Sequence, residues 1–152
     1  IDSMVLEGHQ DQRIYFLLQK TLSVLKSQKN LNPLIRLFEI RLLSLSGYKP
    51  QLDHCVICKA VSVNGIFKFS FIQNGILCVN CSRKIVADIQ FTTGTRNYIK
   101  KLMEVEIKSC GRIKIPNNQA EEIEKVTHRL ILSQLGRETK SYPFIKNMAQ
   151  FI

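Results

Sequence analysis

The sequence predicts a mainly α-helical domain with a small β-containing four-cysteine module inserted in it, and three observations predict that class. Apolar residues recur at helical spacing on both sides of the chain's middle. The middle itself holds two C-x2-C pairs, Cys55/Cys58 and Cys78/Cys81. Between the pairs the spacing changes to an alternation with period two and a tight-turn dipeptide. The expected division is a first helical part over 1–50, the cysteine module over 51–92, and a second helical part over 93–152 that packs with the first.

The first helix is expected over Asp11–Ser27, where Ile14, Leu17, Leu18, Thr21, Leu22 and Leu25 follow the helical repeat. Asn32-Pro33 then reads as an N-cap with proline at the first helical position. Leu34, Ile35, Leu37, Phe38, Ile40, Leu42, Leu43 and Leu45 leave that second helix almost no polar face, so it should be buried on most sides and end at Gly47. Arg36, Glu39 and Arg41 interrupt it and need partners or an edge position. Gly65–Phe71 alternates as a strand, and Asn74-Gly75 turns it back into Ile76-Leu77-Cys78. Thr92-Thr93-Gly94 begins a helix running to Glu104, with Tyr98, Leu102 and Val105 on one side. The last helix is expected to start at an Asn118 cap with Glu121 at N3, to face Ile123, Val126, Leu130 and Ile131 inward, and to close at Gly136. Tyr142, Pro143, Phe144, Ile145 and Phe151 make the C-terminal stretch apolar enough to dock on the core.

Composition excludes several classes. The chain has 152 residues, 45% hydrophobic and 22% charged, values of an ordinary globular domain rather than a disordered one. Leu42–Tyr48 is apolar but short and broken by serine and glycine, so no membrane span is expected. No basic segment followed by an apolar one marks the start, so export is not expected and a cytoplasmic setting is. The chain opens on Ile-Asp-Ser-Met without an initiator methionine, as a fragment or processed chain would. Twenty-two basic against twelve acidic residues give a net charge of +10, and half of that excess falls in the last third. Such a balance favours a polyanionic partner, because each neutralised phosphate releases condensed counterions.

Cys55, Cys58, Cys78 and Cys81 have the spacing of a four-cysteine zinc site. Two intervening residues let a tight knuckle turn both sulfurs onto one ion, and the hairpin between the pairs returns the second knuckle. Four thiolates complete a tetrahedron and leave no open position, so one structural Zn²⁺ is expected rather than a catalytic one. An iron–sulfur cluster also accepts four cysteines, and a redox pair of C-x-x-C motifs uses the same residues. Two disulfides fit poorly with a chain lacking an export signal. His54 adjoins the first pair and serves as a neighbour rather than a ligand, while Cys110 reads as an ordinary core or loop thiol. No Ser/Asp or Cys arrangement beside His9 or His128 suggests a triad, Asn80-Cys81-Ser82 is a sequon on a ligand cysteine, and no glycine-rich phosphate loop occurs. Catalysis is not expected.

The candidate polyanion contacts are basic residues of the last third. Arg96, Lys100 and Lys101 share or border one helical face, Lys108, Arg112 and Lys114 follow in a loop, Lys125 and Arg129 are four apart, and Arg137 and Lys140 lie beyond. Each taken alone is a solvated charge or a partner of Glu104 or Glu121. Tryptophan is absent and most phenylalanines sit in apolar patterns, so backbone contact is expected more than base stacking.

With these residues in view, the chain resembles the C-terminal part of the bacterial RecO family of recombination mediators. The resemblance is carried by Phe38-Glu-Ile-Arg-Leu-Leu-Ser-Leu-Ser-Gly-Tyr-Lys-Pro50, Leu52-Asp-His-Cys-Val-Ile-Cys58, Phe69-Ser70, Gly75-Ile-Leu-Cys-Val-Asn-Cys81 and Leu135-Gly-Arg-Glu-Thr-Lys-Ser141. It implies a helical domain with an inserted four-cysteine zinc module that follows an N-terminal OB-fold, although no five-stranded barrel fits before Asp11. It implies a DNA repair protein without covalent chemistry, associated with the nucleoid during repair. Its partners would be single- and double-stranded DNA, RecR, and the acidic C-terminal tail of single-stranded DNA-binding protein. Its roles would be strand annealing and recombinase loading. Two other classes stand beside it: a zinc-containing protein-interaction module without DNA binding of its own, and a thiol–disulfide enzyme.

Overall fold

A computed structural model of the chain describes residues 11–28, 30–61 and 65–136. The element order is α1 (Gln12–Leu25), α2 (Asn32–Leu45), β1 (Ile66–Ser70), β2 (Gly75–Leu77), β3 (Ile89–Thr92), α3 (Thr93–Glu104) and α4 (Asn117–Leu135). Short 3-10 turns cover Cys81–Arg83 and Ile107–Arg112. The fold is mainly α-helical with a small three-stranded sheet, as the apolar spacing predicts. Among the described residues no helix is long and apolar enough to cross a membrane. The expected docking of the apolar stretch 141–152 falls outside the described residues.

Helix α2 is the centre of the molecule and packs against α1, α3, α4 and the 3-10 turn Ile107–Arg112. Leu34, Leu37, Ile40 and Leu43 are fully buried, which is why this helix shows almost no polar face in sequence. Its charges find partners. Arg36 Nη1 donates to Glu39 Oε2 at 2.8 Å and to Thr127 Oγ1 of α4 at 3.3 Å. Arg41 reaches the end of α3, donating to the carbonyls of Leu102 (3.1 Å) and Val105. The helix ends as a left-handed glycine cap: Gly47 has φ +88°, Gly47 N–H donates to Ser44 O, and Tyr48 N–H donates to Leu43 O at 2.8 Å.

Several local expectations shift. Helix α2 begins at Asn32 rather than being capped by it: Leu31 holds the cap position with no side-chain bond, and the Asn32 N–H donates to Asn30 Oδ1 at 3.1 Å. Helix α4 begins at Asn117, with Pro116 in place of Asn118 as its cap. The Pro116 carbonyl accepts from Gln119 and Ala120, which opens the helix, and no side chain caps it. In α1 the inward stripe is Ile14, Leu17, Thr21 and Val24, whereas Leu22 and Leu25 are exposed. The residues 107–112, expected as loop, form a turn that buries Ile107 and Cys110.

The sheet order is β2-β1-β3, both pairs antiparallel. Phe69 stands opposite Ile76 on one side and Ile89 on the other, and Phe67 stands opposite Phe91. Strand β3 has little sequence signal, since only Phe91 of its four residues is buried. Phe67, Phe69 and Phe91 pack ring on ring and join the same hydrophobic cluster as α2, α3 and α4. The sheet is therefore fastened to the helices through a shared core, and the cysteine knuckles project from it.

Candidate metal centre and its basic surroundings

The first knuckle is built on β2. Gln51 N–H donates to Asn74 O, Ile76 N–H to Gln51 O, and Val56 N–H to Ile76 O, at 2.9 to 3.0 Å. This pairing requires Gly75: a Cβ there would sit 2.9 Å from Val56 Cβ and 3.2 Å from Gln51 O. The knuckle closes with Cys55 N–H on Ala60 O and Lys59 N–H on Cys55 O, and Lys59 takes the left-handed φ of +62° that so tight a turn needs. The second knuckle leaves β2 directly. Its Cys78 Sγ receives the Cys81 N–H at 3.4 Å, and its carbonyl receives the Ser82 N–H at 2.9 Å.

The result brings the Sγ atoms of Cys55, Cys58, Cys78 and Cys81 within 4.8 Å of one another, with Cys58 and Cys78 at 3.5 Å. A zinc ion with Zn–S bonds of about 2.3 Å needs sulfurs about 3.8 Å apart, so the four donors fit a tetrahedral metal. Their all-cysteine chemistry suits a soft or borderline ion and leaves no coordination position for substrate. Burial pushes the Cys55 thiol up, but backbone N–H donors of Cys58, Cys78 and Ile57 outweigh it and hold it down to about 6. The hydrogen bond with Cys78, together with burial, pushes Cys81 up to about 12. The thiols share their protons through these contacts, and a bound cation would displace them. Cys110 is fully buried and apart from this group, its thiol pushed up by burial. His54 is held by a backbone bridge to Val61 at the base of the first knuckle.

Of the basic residues singled out by sequence, three are engaged with partners of the chain itself. Arg96 stacks over Phe67 at 5.0 Å, donates to Leu52 O, and lies 3.9 Å from Asp53. Lys100 Nζ is 2.5 Å from Asp53 Oδ1, and that contact, with the Lys100 and Arg96 charges, holds the Asp53 carboxyl below the usual range. Arg129 stacks over Phe71 at 4.9 Å and donates to Asp88 O at 3.1 Å. These three cations grip the chain where it enters the cysteine module and where it leaves. Lys101, Lys108, Arg112, Lys114 and Lys125 are exposed, and Arg137 and Lys140 lie outside the described residues.

A second basic feature escaped the sequence because its residues are spread over three elements. A groove of about 430 Å³ between α1, α2 and α3 has an apolar floor that includes Phe16, Leu17 and Met103. Arg13, Lys20, Arg41 and Lys49 rim it together with Glu104, and Arg13 is already paired with Asp11 at 2.7 Å. Burial lowers the Arg41 pKa, yet its guanidinium bonds are to the α3 carbonyls rather than to a carboxylate.

The family model "Recombination protein O C terminal" matches residues 1–143. The chain is 28% identical over 151 residues to the DNA repair protein RecO of Symbiobacterium thermophilum, covering 97% of this chain and 60% of that protein. It is 29% identical to RecO of a Thermoanaerobacter species, covering 97% and 59%, and 30% identical to RecO of Syntrophus aciditrophicus, covering 93% and 56%. The chain therefore spans somewhat under two thirds of the curated relatives it matches. No solved structure matches it. A helical frame, a four-cysteine cluster carried on a short sheet, and a family model matched from residue 1 to 143 place the chain in the RecO family of DNA repair proteins.

Proposed function

We propose that this chain is the helical, zinc-holding part of a recombination mediator. Zn²⁺ would be held by Cys55, Cys58, Cys78 and Cys81 and would act structurally, fixing both knuckles. Apparent binding energies of about 10–16 kcal/mol for such sites exceed what a short hairpin gains by burial. The observation that carries the reading is the cysteine cluster within a chain matched along most of its length by the RecO C-terminal family.

In the whole protein this part would work with single- and double-stranded DNA, with RecR, and with the acidic tail of single-stranded DNA-binding protein. The consequences would be strand annealing and recombinase loading in the bacterial cytoplasm, without covalent chemistry. Lys101, Lys108, Arg112 and Lys125, with Arg137 and Lys140, would contribute phosphate contacts from the helical part. The groove rimmed by Arg13, Lys20, Arg41 and Lys49 supports tail binding, since an apolar floor inside a cationic rim suits an acidic peptide with an apolar end.

Elemental analysis of the purified chain, a DNA titration at two salt concentrations and a titration with the acidic tail peptide test the reading. One zinc per chain, salt-steep DNA binding and peptide binding weakened by Lys20→Glu are expected. Zinc and peptide binding without DNA binding would favour the protein-interaction reading that the groove also supports. A chain that takes up no zinc from stoichiometric ion would overturn the metal assignment.

A further inference from the structure

We propose that the cavity between the β1–β2 turn and the end of α4 is the seat of the chain's own apolar C-terminal stretch, residues 141–152, with Phe144 as its anchor. The stretch then acts as a strap that ties the sheet of the cysteine module to the last helix. Such a strap holds whether or not the chain binds DNA or metal.

The cavity measures about 500 Å³ and lies between separate parts of the fold. Phe71 and Ile72 of the turn form one wall, Arg129, Leu132 and Gly136 of α4 and its cap form another, and Asp88 joins them. The charged groups of these walls are engaged with the chain itself. Arg129 lies over the Phe71 ring and donates to Asp88 O, and Asp88 Oδ2 accepts the Phe71 N–H at 2.8 Å. What the walls still offer is apolar: Ile72 is 88% exposed, and Leu132 is half-buried. Covering them with an apolar side chain is favourable, whereas a phosphate or carboxylate would find no unengaged cation here.

The position of the chain selects the occupant. Helix α4 closes at Gly136, with a left-handed φ of +63° and its N–H on Leu132 O at 2.9 Å, and Gly136 itself borders the cavity. The polypeptide therefore leaves the helix at the cavity's rim. Tyr142, Phe144, Ile145, Met148 and Phe151 follow. The eight residues from Gly136 to Phe144 can span up to about 27 Å, ample for a return to that rim. A tethered segment also meets its seat at an effective concentration of about millimolar, which a separate copy's tail must match in solution. Charge separates this cavity from the groove on α1–α3. Residues 139–152 carry Lys140 and Lys146 and no acid, so the groove's Lys20, Arg41 and Lys49 repel them, while the cavity at α4 has Asp88 on its wall.

Hydrogen exchange of the full chain, followed by mass spectrometry, is compared with that of a free peptide of residues 137–152. In the wild type the amides of 141–152 are expected to exchange about tenfold more slowly than in the peptide. Ile72→Lys places a charge of the stretch's own sign at a site too exposed to support the core. It and Phe144→Asp should each return 141–152 to the peptide's rate and speed exchange in 130–136, whereas Phe144→Tyr keeps the protection. Peptide-rate exchange in the wild type overturns the proposal. Protection that Ile72→Lys leaves untouched also overturns it, because the seat then lies elsewhere. Protection that appears only as chain concentration rises assigns the cavity to another copy's tail and overturns the strap.

Discussion

Arg36 and Glu39 show how much a single buried charge depends on its neighbour. Arg36 is 5% exposed, and its guanidinium bridges Glu39 on its own helix and Thr127 on α4. Arg36→Ala leaves the Glu39 carboxylate without its partner, and a loss of about 3–5 kcal/mol in urea-unfolding free energy is expected. Arg36→Met/Glu39→Leu, which removes both charges, should recover most of that. Burial raises the Glu39 pKa even beside Arg36. A carboxyl whose folded pKa is raised favours the fold while protonated, so its contribution falls as pH rises from the unfolded value through the folded one. Stability of Glu39→Gln should therefore fall less across that mildly acidic interval than the wild type's, which unfolding curves at several pH values would show. The need for partners at Arg36, Glu39 and Arg41 was legible in the sequence, because a helix with no polar face leaves charges nowhere else to go. Their identity was not, since Thr127 and the α3 carbonyls lie far along the chain.

At the scale of elements, two glycines decide whether neighbouring pieces close. Gly47 sits at φ +88° with nothing within 4 Å of where a methyl group would stand, so Gly47→Ala tests backbone strain alone, and a loss of about 1 kcal/mol is expected by chemical denaturation. Gly75 is limited by contact instead. Gly75→Ala pushes Val56 and the Gln51 carbonyl away from β2 and should speed zinc loss to a chelator while helix content by circular dichroism stays constant. The helices were readable from apolar spacing, and the hairpin from Asn74-Gly75. The starts of α2 and α4 fall earlier than the sequence indicates, because Leu31 and Pro116 hold the cap positions with no side-chain bond, leaving Asn32 and Asn118 inside the first turn. Strand β3 was missed because an edge strand with one buried residue has no alternation to detect.

At the scale of the whole molecule, the cysteine module is anchored twice. Its phenylalanines share the helices' core, and Arg96, Lys100 and Arg129 hold its entry and exit. Metal removal by a chelator, or Cys78→Ser, is therefore expected to abolish amide hydrogen-exchange protection in residues 55–60 and 78–84 while Phe67 and Phe69 stay protected. Loss of protection across the sheet as well would show that zinc, rather than the core, holds the strands. The cysteine spacing made the cluster readable from the sequence, because ligand geometry dictates that spacing. The groove on α1–α3 and the partners of Arg96, Lys100 and Arg129 were not readable, as each depends on residues brought together from distant parts of the chain. Fastening both ends of the module to the frame has a further effect on how such a protein can change over generations. Substitutions or insertions in the knuckle tips between the ligands leave the helices' packing untouched, so this end can vary in surface and length without unsettling the frame beneath it.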